Sequence, residues 1–178
     1  WGDEVMSNIF VRSPNAMRGI LAEAACYLAD GSCPIGENTW KAAYWSAQSA
    51  VAGADLIAEG ERGAYVLSRP PGHHAYADLA GGFCFFNNSG IAAERLLRAG
   101  KRPVILDIDV HHGNGTEAAF WHDENAFYAS SHEWPQYPGT GRASDRGAFD
   151  NIANAPLALM AETPGVEPAA GTPTGIGG

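Results

Sequence analysis

Cysteine, positive charge and long apolar runs are all scarce in this 178-residue chain, and each scarcity narrows what it can be. The cysteines Cys26, Cys33 and Cys84 are odd in number and show no CxxC spacing, so neither a disulfide framework nor a Cys-based zinc site is indicated. That usage fits a reducing, cytoplasmic setting. Eleven Lys and Arg stand against twenty Asp and Glu, a net charge of -9, which argues against a nucleic-acid partner bound by phosphate neutralisation. It fits small or cationic substrates. No apolar run approaches the ~20 residues that span a bilayer, and no basic stretch precedes an apolar one as in a secretory signal, so no membrane partner is expected. The first residue is Trp1, not Met, and the expectation is a piece of something longer.

What is present is an apolar fraction of 46% with 17% charged residues, enough for one domain with its own core. Met17 to Leu28 reads as a helix, and Gly31, Pro34 and Gly36 as a loop. From Asn38 or Thr39 a longer helix is expected, with Trp40, Ala43, Tyr44, Ala47, Val51, Ala54 and Ile57 as its apolar stripe and Gly60 as its stop. Ala64 to Ser68 has the length of a buried strand. Ser89 to Ala99 is a second helix, Val104 to Val110 the clearest strand, Thr116 to Trp121 a short helix or turn, and Ala126 to Ser130 another strand. Alternating strands and helices at this spacing predict an α/β fold with a central parallel sheet. Ligand sites in such sheets lie beyond the carboxyl ends of the strands, and there the sequence turns polar and rich in glycine and histidine. Residues 1–157 are read as one domain, and 158–178, rich in Pro and Gly, as a loosely ordered tail.

The clearest strand carries charge where a buried strand should have none. Val104, Leu106, Ile108 and Val110 fall on one face; Ile105, Asp107, Asp109 and His111 fall on the other. A central parallel strand is apolar on both faces, and unpaired carboxylates there would each cost several kcal/mol. A divalent cation gripped by Asp109 and His111 supplies the compensation, with Asp107 deeper on the same face to orient a neighbouring histidine or bind a second cation. The alternative is an edge strand whose polar face meets water.

The second cluster is Arg69-Pro70-Pro71-Gly72-His73-His74-Ala75. Two adjacent imidazoles, oriented by Asp107 and Asn114, can divide the work of general base and general acid beside a metal-bound water. The alternative is a pair of surface turn residues. In Gly81-Gly82-Phe83-Cys84-Phe85-Phe86 the aromatics either wall an apolar slot or pack in the core, and Cys84 reads as a buried small hydrophobe. Tyr137, in Tyr-Pro-Gly-Thr-Gly, is placed at a pocket rim; His132 lies just past a strand end, and His122 is read as exposed.

RPPGHHA at 69–75, GGFCFFNN at 81–88, DIDVHHGNGT at 107–116 and YPGTG at 137–141 resemble, in order and separation, four signature blocks of the histone deacetylase and acetylpolyamine amidohydrolase superfamily. The resemblance implies a three-layer arginase/deacetylase-like α/β fold, incomplete in this chain, and zinc-dependent removal of acetyl groups from acetyl-lysine or acetylpolyamine. It makes Asp109 and His111 zinc ligands, with Fe2+ an alternative ion. His73 and His74 become the catalytic pair, with His74 the general base and Asp107 and Asn114 their partners. Gly82, Phe83 and Tyr137 become the substrate channel, and Asp107, Asp109, His111, Ser130 and Ser131 a structural potassium site. A homo-oligomer is left open.

The chain departs from the family pattern in lacking a third metal-ligating aspartate from a later strand and a tyrosine in a later Gly-rich loop. Asp145 and Asp150 come too early in the order to be that aspartate. The competing reading is therefore a truncated, non-catalytic module that binds metal or acetylated amines. An arginase-like ureohydrolase is disfavoured by its different Asp/His spacing.

Overall fold

Small residues at helical spacing build the first layer. In the computed structural model, which describes residues 26–158, α1 (Thr39–Ala58) buries Ala43, Ser46, Ala47, Ala50, Gly53 and Ala54 along one side. That stripe has almost no side-chain bulk, so α2 (Asn88–Arg98) packs close against α1. The expected stripe is corrected at its aromatic end. Trp40 and Tyr44 are exposed, stacking on one another with ring centroids 6.2 Å apart, and Trp40 meets the edge of Phe86 at 5.6 Å. Their volume does not fit a seam lined by alanine.

Local chemistry sets the ends of α2. The Asn87 side chain accepts from Gly90 N at 2.8 Å, satisfying an amide that the first turn leaves unpaired. Gly100, at φ 72°, closes the far end. The Asn87 amide also donates to Thr116 Oγ1 at 3.1 Å, tying this helix start to α3 (Asn114–Phe120).

The sheet has three parallel strands in the order β1 (Val104–Asp107), β2 (Phe127–Trp134) and β3 (Ile152–Ala158). β1 pairs through Asp107 to Ser130, and β2 pairs Ser130 to Asn154. The core joins Ala93 of α2, Phe120 of α3 and Ala126, with Leu97 and Ile105 packed against them. β3 was not anticipated; its sequence, Ile-Ala-Asn-Ala-Pro-Leu-Ala, has too little bulk to read as a strand. Ala64 to Ser68 is no strand: it makes no ladder with any described residue. Most of the expected helix at 17–28 and the tail after residue 158 lie outside the described residues.

β1 differs in its surroundings from the expected central strand. Among the described residues it is a sheet edge, and its aliphatic face meets solvent, with Val104 and Leu106 each 70% exposed and Ile108 67%. The face carrying Ile105 and Asp107 is the one turned towards protein. The polar side is therefore inside and the greasy side outside, the reverse of an ordinary solvated edge. An open edge of this kind is a template for self-association. Leu106→Lys should reduce aggregation, followed by light scattering, while changing unfolding free energy by less than about 0.5 kcal/mol, as expected for an exposed position.

Candidate active site

Backbone anchoring comes before chemistry at the histidine loop. Ser46 of α1 donates its hydroxyl to Pro70 O at 2.8 Å, and Asn88 of α2 donates to the same carbonyl at 3.0 Å. These bonds fasten the Arg69–His74 segment to both helices. Gly113 then lets the turn after β1 close in, because a Cβ there would sit 2.1 Å from Asp107 Oδ2 and 2.6 Å from the Tyr128 hydroxyl.

Each imidazole of the pair has its own partner. His73 donates from Nδ1 to Asp107 Oδ2 at 3.0 Å, and His74 donates from Nδ1 to Asn114 Oδ1 at 2.8 Å. The Asn114 amide group donates in turn to the Tyr76 hydroxyl at 3.0 Å. The rings of His73 and His74 lie 4.0 Å apart. With both Nδ1 atoms protonated, each Nε2 keeps its lone pair in the neutral ring.

The partners differ in charge, and the electrostatics follow. Burial, helped by the neighbouring His73 and His111 and opposed by the Asn114 hydrogen bond, lowers His74 to about 4, so this ring stays neutral at neutral pH. Burial alone would raise the Asp107 carboxyl. The hydrogen bond and charge of His73, the Asp109 N–H and the Tyr128 hydroxyl outweigh it and hold Asp107 below the ordinary carboxylate range. Asp107 is thus an anion beside His73.

Asp109 and His111 converge beside this pair. His111 Nδ1 lies 3.3 Å from Asp109 Oδ1, and His73 Nε2 lies 3.9 Å from that same oxygen. The Asp109 carboxylate also accepts from His111 N at 2.8 Å. One carboxylate and one imidazole at this separation suit a single divalent cation. Among the described residues no third His, Cys, Asp or Glu joins them, so the donor set is of the right kind and one short of the three expected at a catalytic zinc.

A cavity of about 560 Å³ holds these groups, lined by His73, His74, Gly82, Phe83, Asp109, His111 and Tyr137, together with Asp30 and Ser32. Phe83 is 62% exposed and Tyr137 37%, so both stand as walls and not as core. The Tyr137 ring meets His74 edge-on at 5.0 Å and His111 at 5.8 Å. A larger cavity of about 820 Å³ lies beyond Tyr76, lined mainly by Phe85, Phe86, Ile91 and Leu79, and contains no imidazole. The chemistry sits in the smaller one. Of the remaining expected site residues, Asp107 and Asn114 lie directly behind the two histidines. Ser130 and Ser131 fall in β2 beside the end of β1, where the Ser130 hydroxyl donates to His132.

Other residues here were not singled out from sequence. Tyr128, fully buried, directs its hydroxyl to Asp107 and Gly113 O at 3.2 Å each. His132 lies within β2, not past a strand end, and is 1% exposed. It donates to Gly141 O at 2.9 Å and stacks within 4.7 Å of His112. His112 is held by Thr140 and by Glu117 at 3.2 Å, and these buried imidazoles are structural ties between β1, β2 and the 139–141 loop. Asp30 was missed entirely; an Asp-Gly-Ser turn carries no signal that it faces a histidine pair. Cys84 is buried and its thiol is pushed up to about 12, which bears out its reading as an inert hydrophobe.

An α/β frame thus carries a tandem histidine pair beside an Asp–His pair, and comparison with known proteins gives that arrangement a family. Residues 6–167 match the histone deacetylase domain. The chain is 54% identical over 155 residues to an acetylpolyamine amidohydrolase of Burkholderia pseudomallei, covering 85% of this chain and 46% of that protein. A crystal structure of an acetylpolyamine aminohydrolase from the same species superposes with a TM-score of 0.78 at 52% identity, over 89% of this chain and 48% of that one. The HDA15 HD domain superposes at 0.69 with 36% identity, over 72% and 40%. This chain belongs to the histone deacetylase domain family, and its α/β fold is part of the deacetylase fold. It spans about half the length of the curated relatives it matches.

Gly113→Ala should destabilise the protein by about 1–3 kcal/mol in urea unfolding, since the methyl group would be forced onto Asp107 and Tyr128. The metal-free protein should lose stability as pH falls from 6.5 towards 4. There the unfolded His74 takes up a proton that the folded ring refuses, so stability is full above the window and declines within it. His74→Gln should flatten the decline without abolishing it, because His132 is depressed in the same direction by its burial.

Proposed function

We propose that this chain carries the histidine half of a zinc-dependent amidohydrolase centre that removes acetyl groups from N-acetylated amines, acetylpolyamine or acetyl-lysine. The observation that carries the reading is the pair of imidazoles, one backed by a carboxylate and one by an amide, facing the Asp109–His111 donors in one cavity. Asp109 and His111 would hold the metal, with Fe2+ the alternative ion, and the neighbourhood of Asp107, Ser130 and Ser131 would take structural potassium. When bound, zinc polarises the acetyl carbonyl and lowers the pKa of a water towards ~7.

The protein groups divide the proton traffic. His74, kept neutral and with Nε2 unprotonated, accepts a proton from the attacking water. His73, with the Asp107 anion behind it, is suited to carry a positive charge and to pass a proton to the departing amine. Gly82, Phe83 and Tyr137 would line the acyl slot. No lysine or arginine lines the cavity among the described residues, which suits an amine substrate with further positive charge. Three free cysteines support a reducing compartment such as the cytoplasm.

A second reading keeps the binding and drops the turnover. It is favoured by the donor count, two where three are expected. Elemental analysis for zinc, combined with release of free amine from an acetyl-lysine fluorogenic peptide and from an acetylated polyamine, separates the two. Amine release well above a His74→Ala control supports the hydrolase. Stoichiometric zinc with no release above that control supports the binding module.

A further inference from the structure

We propose that Asp30 is the positioning residue that sets the width of the acyl slot, by fastening both aromatic walls to a single carboxylate. This rests on the reading of the cavity as an acyl slot, and it concerns how the slot is built, not the metal.

The carboxylate is saturated by four donors. Oδ1 accepts from Ser32 N at 2.8 Å and from the Ser32 hydroxyl. Oδ2 accepts from Gly82 N at 3.1 Å and from the Tyr137 hydroxyl at 2.6 Å. A carboxylate offers about four lone-pair positions, so none is left for a substrate. Asp30 therefore acts through what it holds.

What it holds are the two walls. Tyr137, 107 residues further on, is pinned with its ring against His74 and His111. On the other side, Gly82 and Phe83 both adopt positive φ, 52° and 65°, and Phe83 is not a glycine. A bulky residue in that conformation persists only where its surroundings impose it. Here the two successive amides are gripped, Gly82 N by Asp30 and Phe83 N by the Ser32 hydroxyl at 3.3 Å, and that hydroxyl itself donates to Asp30. Gly82 is also pressed on His74, where a Cβ would lie 2.1 Å from the imidazole Cδ2. One carboxylate thus spaces Phe83, Tyr137 and His74 at once. Burial would raise the Asp30 carboxyl, but the hydrogen bonds from Ser32, Tyr137 and Gly82 outweigh it and bring it to about 2, so the tie remains anionic throughout the neutral range.

Asp30→Asn is the informative variant, because an amide has one oxygen. Whichever way it turns, two of the four donors face an NH2 group, and at least one backbone N–H loses its acceptor. Amide hydrogen exchange on the metal-free protein reads this directly. The Asn variant should speed exchange at Ser32 or at Gly82, whichever amide faces the NH2 group, by roughly tenfold or more, the scale of one hydrogen bond to a charged group, with β2 amides unchanged. In the zinc-loaded protein, competition between a straight-chain alkyl hydroxamate and a branched one reads the slot. The wild type should prefer the straight chain by roughly tenfold and Asp30→Asn by less than about threefold, at equal zinc content. Tyr137→Phe cuts one tie and should lower the preference while leaving Gly82 and Phe83 protected. Unchanged exchange at both Ser32 and Gly82 in Asp30→Asn, or an unchanged preference, overturns the proposal, as does acceleration spread evenly through β2. If the wild type takes up no zinc, the hydrolase reading fails, and the exchange measurement still decides the clamp.

Discussion

The Asp107 carboxylate at the end of β1 is the constraint around which the site is arranged. It is a charge drawn into protein, and such a charge is tolerated only when surrounded by donors. It has them in His73 Nδ1–H, the Tyr128 hydroxyl and the Asp109 amide. Each donor fixes an element in turn. His73 fixes the loop anchored on α1 and α2, Tyr128 fixes β2, and the amide shapes the turn from which Asp109 and His111 project. The bare glycine at 113 follows from the same crowding. Compensating one anion therefore places most of the residues that matter for chemistry.

The contrast between the two histidines extends this logic. They are adjacent in sequence and in space, yet one leans on an anion and the other on a neutral amide. Asn114 cannot shift charge onto His74 as Asp107 can for His73. Asn114 is itself hydrogen-bonded on its far side to the Tyr76 hydroxyl. The polar ties reach further still, through His112, Glu117 and Asn154, where Asn154 donates to Glu117 at 2.5 Å. That buried chain locks α3 to β3.

Much of this was legible in the primary structure, and the reasons differ by element. That Asp107 and Asn114 partner the histidine pair, and that Asp109 projects with His111, follow from the family motifs and period-two alternation; which partner serves which histidine was not legible. The helices over 39–58 and 88–98 follow from apolar periodicity, whereas Asn38 makes no side-chain cap hydrogen bond and the Asn87 cap was not read. What was not legible depends on long-range contact. Nothing in Asp30-Gly31-Ser32 shows that a tyrosine 107 residues away will dock on it. The strand at 152–158 is built of alanine, asparagine and proline, so its pairing comes from β2 and not from its own propensity. The stretch at 64–68 has the right residues for a strand and no described neighbour to pair with. The aromatics of α1 were assigned to the buried stripe because periodicity counts apolar character and ignores volume.

The outward-facing Val104, Leu106 and Ile108 carry a consequence for the life of the polypeptide itself. Among the described residues that ribbon is uncovered, and wherever it stays so it offers a hydrophobic flank that chaperones and proteases are built to detect. Cellular abundance would then be governed by how fast that flank is shielded or destroyed, not by the equilibrium stability of the packed helices and sheet.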